Sequence, residues 1–216
     1  ALGRRSLLLA AGCALAVGIV TGLAFWGLRP APPPKPVTRT VIALPTDQRL
    51  AVGDNPAVAI SPDGRLLAYV ALQGSVQQLY LRAMDSLEAR AIPGTEGAVN
   101  PFFSPDSQSL GFFAGSKLKK VSVNGGGAIT LGDAAVARGA SWGSQGAIVF
   151  TPSSSGPVQQ LPEAGGAAKP LTQLAKGDTS HRWPEFLPDG KAVLFASGAT
   201  GASAQVAVHV TETGEQ

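Results

Sequence analysis

The run Ile60-Ser61-Pro62-Asp63-Gly64-Arg65-Leu66-Leu67-Ala68-Tyr69-Val70 is written more than once in this chain. It returns as Phe103-Ser104-Pro105-Asp106-Ser107-Gln108-Ser109-Leu110-Gly111-Phe112-Phe113, and again as Phe186-Leu187-Pro188-Asp189-Gly190-Lys191-Ala192-Val193-Leu194-Phe195. A degenerate copy, Ser141-Trp142-Gly143-Ser144-Gln145-Gly146-Ala147-Ile148-Val149-Phe150, lies between the last two. With Tyr69, Phe112, Phe150 and Phe195 taken as equivalent, the spacings are 43, 38 and 45 residues. A period near 40 made of short strands and turns predicts a propeller blade. The expected fold class is therefore all-β: about four four-stranded blades over residues 37–216, an incomplete ring of six to eight.

Each copy supplies its strands in order. Innermost strands are expected at 57–61, 101–104, 140–142 and 184–187, and second strands at 66–70, 110–113, 147–150 and 192–196. Third strands are expected at 78–82, 118–123, 158–161 and 205–210, and outermost ones at 90–92, 128–131 and 169–171, the fourth repeat having lost its own. A further strand at 40–44, stopped by Pro45, reads as an N-terminal strand that completes a blade contributed by the other end of the chain. Without it the ring does not close, and exposed strand edges predict aggregation of residues 37–216 in isolation.

The Pro-Asp-Gly element has a physical reason. Proline presets the first turn φ, the carboxylate accepts backbone N–H bonds within the turn, and glycine takes the left-handed position. Pro62, Asp63 and Gly64, Pro105 and Asp106, and Pro188, Asp189 and Gly190 are thus expected to be turn residues, not paired catalytic carboxylates. The apolar run after each turn is expected to be buried between neighbouring blades.

Composition agrees. Of 216 residues 44% are apolar, and 27 Gly with 17 Pro suit a turn-dense β protein better than a helical one. The net charge of +3 is small, and Lys117, Lys119 and Lys120 form the sole basic cluster, so nucleic acid is not an expected partner. One cysteine, Cys13, rules out a disulfide framework. His181 and His209 have no metal-ligand spacing, and neither a metal nor a cofactor is expected.

Residues 6–28 carry no charged side chain. At about 1.5 Å per residue such a helix reaches about 34 Å, enough for a bilayer core of roughly 30 Å. Arg4 and Arg5 precede it within a short flank at 1–5, and Phe25 and Trp26 lie near its far end. One uncleaved transmembrane α-helix is the leading reading. A cleaved export signal, suggested by Arg4-Arg5 before the leucines, and a lipid anchor at Cys13 are the alternatives. Lys and Arg on both sides of the segment leave its orientation open. Residues 29–36 hold Pro30, Pro32, Pro33, Pro34 and Pro36, a semi-rigid extended spacer that marks a domain boundary.

The run Ser61-Pro62-Asp63-Gly64-Arg65, with Tyr69 to follow, resembles the PD40, or WD40-like, repeat of TolB-type propellers. The larger order is a membrane segment, a proline spacer, Gln78-Leu79-Tyr80-Leu81-Arg82, Ile92-Pro93-Gly94-Thr95-Glu96-Gly97, and His181-Arg182-Trp183-Pro184-Glu185-Phe186. It is similar to the C-terminal half of bacterial membrane-spanning serine/threonine protein kinases. The resemblance implies a single-pass protein of the cytoplasmic membrane, its propeller on the extracytoplasmic (periplasmic) side. No kinase motif is present: His181-Arg182 is followed by Trp, and there is no D-F-G. Two departures, Asp106-Ser107 for Asp-Gly and the loss of Pro-Asp near Gly143, read as decay within a repeat array.

The expected function is that of a non-catalytic, membrane-tethered sensing or protein-binding module, with a protein or peptide ligand. An exported TolB-like binding protein without a kinase is the first alternative. The propeller of a prolyl-oligopeptidase-type hydrolase is the second, although no G-x-S-x-G elbow occurs in the chain. His181, Arg182 and Trp183, at the start of an inner strand, are the candidate ligand residues at the channel mouth, set against a purely structural cluster.

Overall fold

In the computed structural model, residues 41–198 and 204–216 are described, together with positions 3, 17, 18 and 21. The expected membrane segment at 6–28 and the proline spacer at 29–36 fall outside the described residues, save Val17, Gly18 and Thr21. Among the described residues no helix is long and apolar enough to cross a membrane. The strands lie within the unit Ala43–Gln216.

Among the described residues sixteen strands form four antiparallel sheets, each built from one copy of the repeat. In the first, β2 (Val58–Ile60), β3 (Leu66–Gln73), β4 (Val76–Ala83) and β5 (Ala89–Ala91) lie side by side in chain order. The second holds β6 (Val99–Phe103), β7 (Ser109–Ala114), β8 (Lys117–Ser122) and β9 (Ile129–Asp133). The third holds β10 (Ala140–Trp142), β11 (Ala147–Phe150), β12 (Gln159–Pro162) and β13 (Lys169–Pro170). The fourth has three strands among the described residues: β14 (Ser180–Phe186), β15 (Ala192–Gly198) and β16 (Gln205–Val210).

The expected strand at 40–44 is corrected: its described positions, 41–44, form no strand, and Val41 is almost fully exposed. Instead Pro45 opens a turn, closed by the Gln48 N–H on its carbonyl at 3.0 Å. The chain then enters β1 (Gln48–Leu50), which pairs with the far end of β3, Leu50 opposite Ala71. β1 and β2 share the inner side of one long β3, separated by a loop at 52–56. The segment completes the first blade, not the last one. Its sequence, Gln-Arg-Leu, has no apolar alternation, and pairing alone makes it a strand.

Period-two alternation divides the second strands between two cores. In β7, Phe112 packs toward the first sheet, against Val70, Leu79 and Leu81, whereas Phe113 joins Trp142, Ile148 and Phe150 of the third. In β11, Phe150 faces backwards with that cluster while Val149 faces forwards, with Val193 and Phe195 of the fourth. Phe112, Phe150 and Phe195, at register-equivalent positions, therefore each seal the interface with the preceding blade. Each such buried side chain contributes about 1.5–3 kcal/mol. Tyr69, the equivalent residue of the first blade, stacks on Tyr80 with ring centroids 5.4 Å apart. Its hydroxyl donates to Gln48 at 3.3 Å.

Candidate functional site

The inner strands of all four sheets, with the turns that follow them, surround a cavity of about 620 Å³. One residue per blade occupies the same register position on its wall: Ala59, Phe102, Ser141 and Glu185, opposite Ala68, Gly111, Val149 and Leu194. Aromatic rings supply much of the remaining wall. Phe102 meets Trp142 edge-on at 6.3 Å, and Phe186 lies over Gly143. Both positions depend on glycine: a Cβ at Gly111 would stand 2.1 Å from the Phe102 ring, and one at Gly143 2.8 Å from Phe186. Trp142 is fixed by its indole N–H, which donates to Glu163 Oε2 at 2.9 Å.

Among the described residues Glu185 is the single charged one on this wall. Its side chain keeps contact with solvent in the cavity, yet the surrounding protein strips away enough water to push its carboxyl above the usual carboxylate range. The neighbouring Ser141 hydroxyl offsets part of that rise. The same hydroxyl oxygen accepts the Phe186 N–H at 3.1 Å, tying the third blade to the fourth.

At the start of the inner strands the backbone bulges. Register slips between Val99 and Phe102 and between Arg182 and Glu185, and the inserted residues Asn100 and Trp183 have φ of 52° and 55°. Gly139 holds the corresponding place in the third blade, at φ 100°. Asn tolerates this left-handed region, whereas a Trp there is strained by about 1–3 kcal/mol. Inter-blade contacts hold it: Trp183 N–H donates to the Arg138 carbonyl at 2.7 Å, and the missing Cβ of Gly139 makes room for the Trp183 backbone. Asn100 is 5% exposed, and its side-chain nitrogen has no hydrogen-bond partner among the described residues. Across the mouth, Asp54 of the 52–56 loop lies 3.9 Å from Arg138.

None of His181, Arg182 and Trp183 lines the cavity. His181 is fully buried: its Nδ1 lies 2.7 Å from the Thr172 hydroxyl and its Nε2 3.4 Å from Asp178. Ser197 donates to the same Asp178 oxygen at 2.6 Å, the first cause of a carboxyl held below its usual range. Arg182 donates to the Ser154 carbonyl at 2.8 Å, and Trp183 is 36% exposed at the rim.

The turn carboxylates are engaged locally. Asp63 accepts from the Ser61 hydroxyl at 2.6 Å and from Arg65 N–H at 3.0 Å; Asp106 does the same with Ser104 and Gln108. Asp189 accepts from Lys191 N–H at 3.0 Å. Pro62, Pro105 and Pro188 border the cavity, and Gly64 and Gly190 take φ of 72° and 71°. Ser107, which stands where the repeat calls for glycine, adopts φ 62°, and its hydroxyl accepts the Asp63 N–H of the neighbouring turn at 3.3 Å. The substitution read as decay thus links two blades.

Ala59, Phe102, Ser141 and Glu185 belong to no motif of the sequence, whose conspicuous residues are those of the turns. Each lies two positions before the first turn residue (Ser61, Ser104, Gly143 and Leu187), a count available from the repeat alone. The lysine cluster falls on β8: Lys117 pairs with Asp133, and Lys120 lies 5.8 Å from the Trp142 ring and donates to the Glu163 carbonyl at 2.7 Å.

No protein-family model matches the sequence, and no curated protein matches it. Solved structures do. TolB from Acinetobacter baumannii superposes with a TM-score of 0.62 at 22% identity, over 74% of this chain and 42% of its own. A putative TolB from Agrobacterium tumefaciens gives 0.57 at 18%, over 74% and 59%. A Mycobacterium tuberculosis puromycin-hydrolysing peptidase gives 0.56 at 18%, over 77% of this chain and 29% of its own. The chain therefore has a TolB-like propeller fold and spans about half the length of the TolB structures it matches.

Proposed function

We propose that this chain is a non-catalytic protein-binding propeller, carried outside the cytoplasmic membrane on a single-pass anchor at 6–28, and that it forms the C-terminal part of a bacterial receptor-like serine/threonine protein kinase. The binding role draws its support from the cavity ringed by four inner strands, whose wall is aromatic and proline-rich with one charge. Such a surface suits an extended peptide better than a small polar metabolite. The anchor and the kinase context draw theirs from the uncharged 23-residue run, the proline spacer and the order of motifs behind it. A free, exported TolB-like binding protein is the second reading, and the two TolB superpositions favour it equally. The peptidase superposition keeps the hydrolase-propeller reading as a third.

The test is a fusion of the whole chain to alkaline phosphatase at its C-terminus, expressed in a bacterium. The proposal requires enzyme activity in intact cells and a fusion that stays with membranes after carbonate washing. Active but soluble fusion assigns the chain to the free TolB-like class, and an inactive fusion rejects an extracytoplasmic propeller. A coding sequence ahead of Ala1 without H-R-D and D-F-G elements removes the kinase, and a G-x-S-x-G elbow after Gln216 replaces it with the hydrolase.

A further inference from the structure

We infer that the cavity between the inner strands receives a peptide segment presenting a lysine or arginine side chain, with the Glu185 carboxylate as its counter-charge and the Phe102, Trp142 and Phe186 rings as its walls. This inference rests on the reading of the chain as a protein-binding module and assigns the chemistry of what is bound.

Charge complementarity carries it. Glu185 brings one negative charge to a wall that holds no Lys, Arg or His, and no cation among the described residues forms an ion pair with it. Among the described residues no backbone N–H donates to it, and five of the wall residues, Pro56, Pro62, Pro101, Pro105 and Pro188, have none to offer. The polar side chain at the matching register position of the adjacent inner strand is the neutral Ser141 hydroxyl. A carboxylate that has no charged partner on its own wall gains from a fully charged donor brought by a ligand. Aromatic faces favour the same ligand, since a cation over an aromatic ring is attracted and its aliphatic stem covers apolar wall.

A bare metal ion fits less well. Calcium takes six to eight oxygen ligands and magnesium a near-octahedral set. This wall offers one carboxylate and a few amide or hydroxyl oxygens. A volume of about 620 Å³ holds several residues of extended chain and far exceeds an ion. Asn100 stands on the same wall at 5% exposure, its amide nitrogen unpartnered. A buried amide lacking a partner is a gap that a bound peptide backbone can fill after a small side-chain rotation.

The test uses the full chain and two peptides that carry fluorescein on the N-terminal amine, fluoresceinyl-Ala-Pro-Lys-Pro-Phe-amide and its analogue with norleucine in place of lysine, read by anisotropy. The expected result is binding of the lysine peptide at least about tenfold tighter than the norleucine peptide, equivalent to about 1.4 kcal/mol. Glu185→Gln, which keeps shape and removes charge, should bring the two affinities together while melting no lower than the parent. Equal affinities for the parent chain overturn the assignment of a cation and leave peptide binding standing. A lysine preference that survives Glu185→Gln places the cation elsewhere and also overturns it. Binding of neither peptide overturns both the inference and the cavity as the binding surface.

Discussion

Gly139→Ala is the most demanding test of the inter-blade geometry. Gly139 sits just before β10 at φ 100°, and a Cβ there would stand 2.6 Å from Trp183 Cα and 3.0 Å from Trp183 N, in the next blade. Those are backbone atoms, held by the Trp183 N–H bond to Arg138, so no side chain can swing aside. Left-handed alanine costs about 1–2 kcal/mol. Reduced freedom of the unfolded chain returns about 0.4–1 kcal/mol. The forced shift of the Trp183 backbone adds about 1–3 kcal/mol, as overpacking does. The net loss is about 1–5 kcal/mol. For a unit of this length each kcal/mol lowers Tm by about 2–4 °C, so a fall of roughly 2–20 °C is expected. Gly126→Ala is the control: φ there is 112°, but a Cβ would meet nothing within 4 Å. It pays the backbone term alone. Urea denaturation of both variants beside the parent isolates the contact term as their difference. If the two unfold within about 0.5 kcal/mol of each other, the approach of the third and fourth blades is not as tight as described here.

Thr172→Val should be costly despite equal size. The hydroxyl accepts Val158 N–H at 3.0 Å and lies 2.7 Å from His181 Nδ1, so two buried groups lose their partner. A loss of about 2–4 kcal/mol is expected by urea denaturation, and a change under about 0.5 kcal/mol would refute the network. Acid should weaken the fold through its turns. Asp63 and Asp106 are held below the usual carboxylate range, first by the Ser61 and Ser104 hydroxyls and then by backbone N–H donors. A depressed folded pKa gives stability that is complete above the unfolded value near 3.9 and lost as pH falls through the folded one. The urea midpoint of the parent should therefore drop between pH 5 and pH 3 more steeply than that of Asp106→Asn; parallel slopes would show that Asp106 is not the source.

Turns and second strands were legible because their signals are local. Pro-Asp-Gly fixes a turn by its own dihedrals, and 140–142, 147–150 and 205–210 fold within the limits their apolar pattern sets. β1 was not, since Gln48, Arg49 and Leu50 become a strand only against the overlong end of β3, a tertiary effect. The rim divides in the same way. Asn100 and Gly139 belong to residue types that tolerate a left-handed bulge, but nothing in Trp183 announces one. The choice between ligand and structural roles for His181 was not legible for a related reason: burial by Thr172, Asp178 and Phe195 depends on the blade before it and on its own hairpin. Glu185 was readable in principle, by counting back from the turn, because cavity position follows the period of two.

The division of Phe112 and Phe113 between two cores governs how this chain must be made. A blade has no interior of its own, so one that has just left the ribosome shows an uncovered aromatic face until its successor arrives. With about 40 residues per blade and synthesis at about 5–20 residues per second, that wait is about 2–8 s. Folding of a hairpin takes microseconds. Each blade therefore matures long before its shelter exists, and the speed of translation, not of folding, sets how long Phe113 and then Val149 stand open to chaperones or to a neighbouring chain.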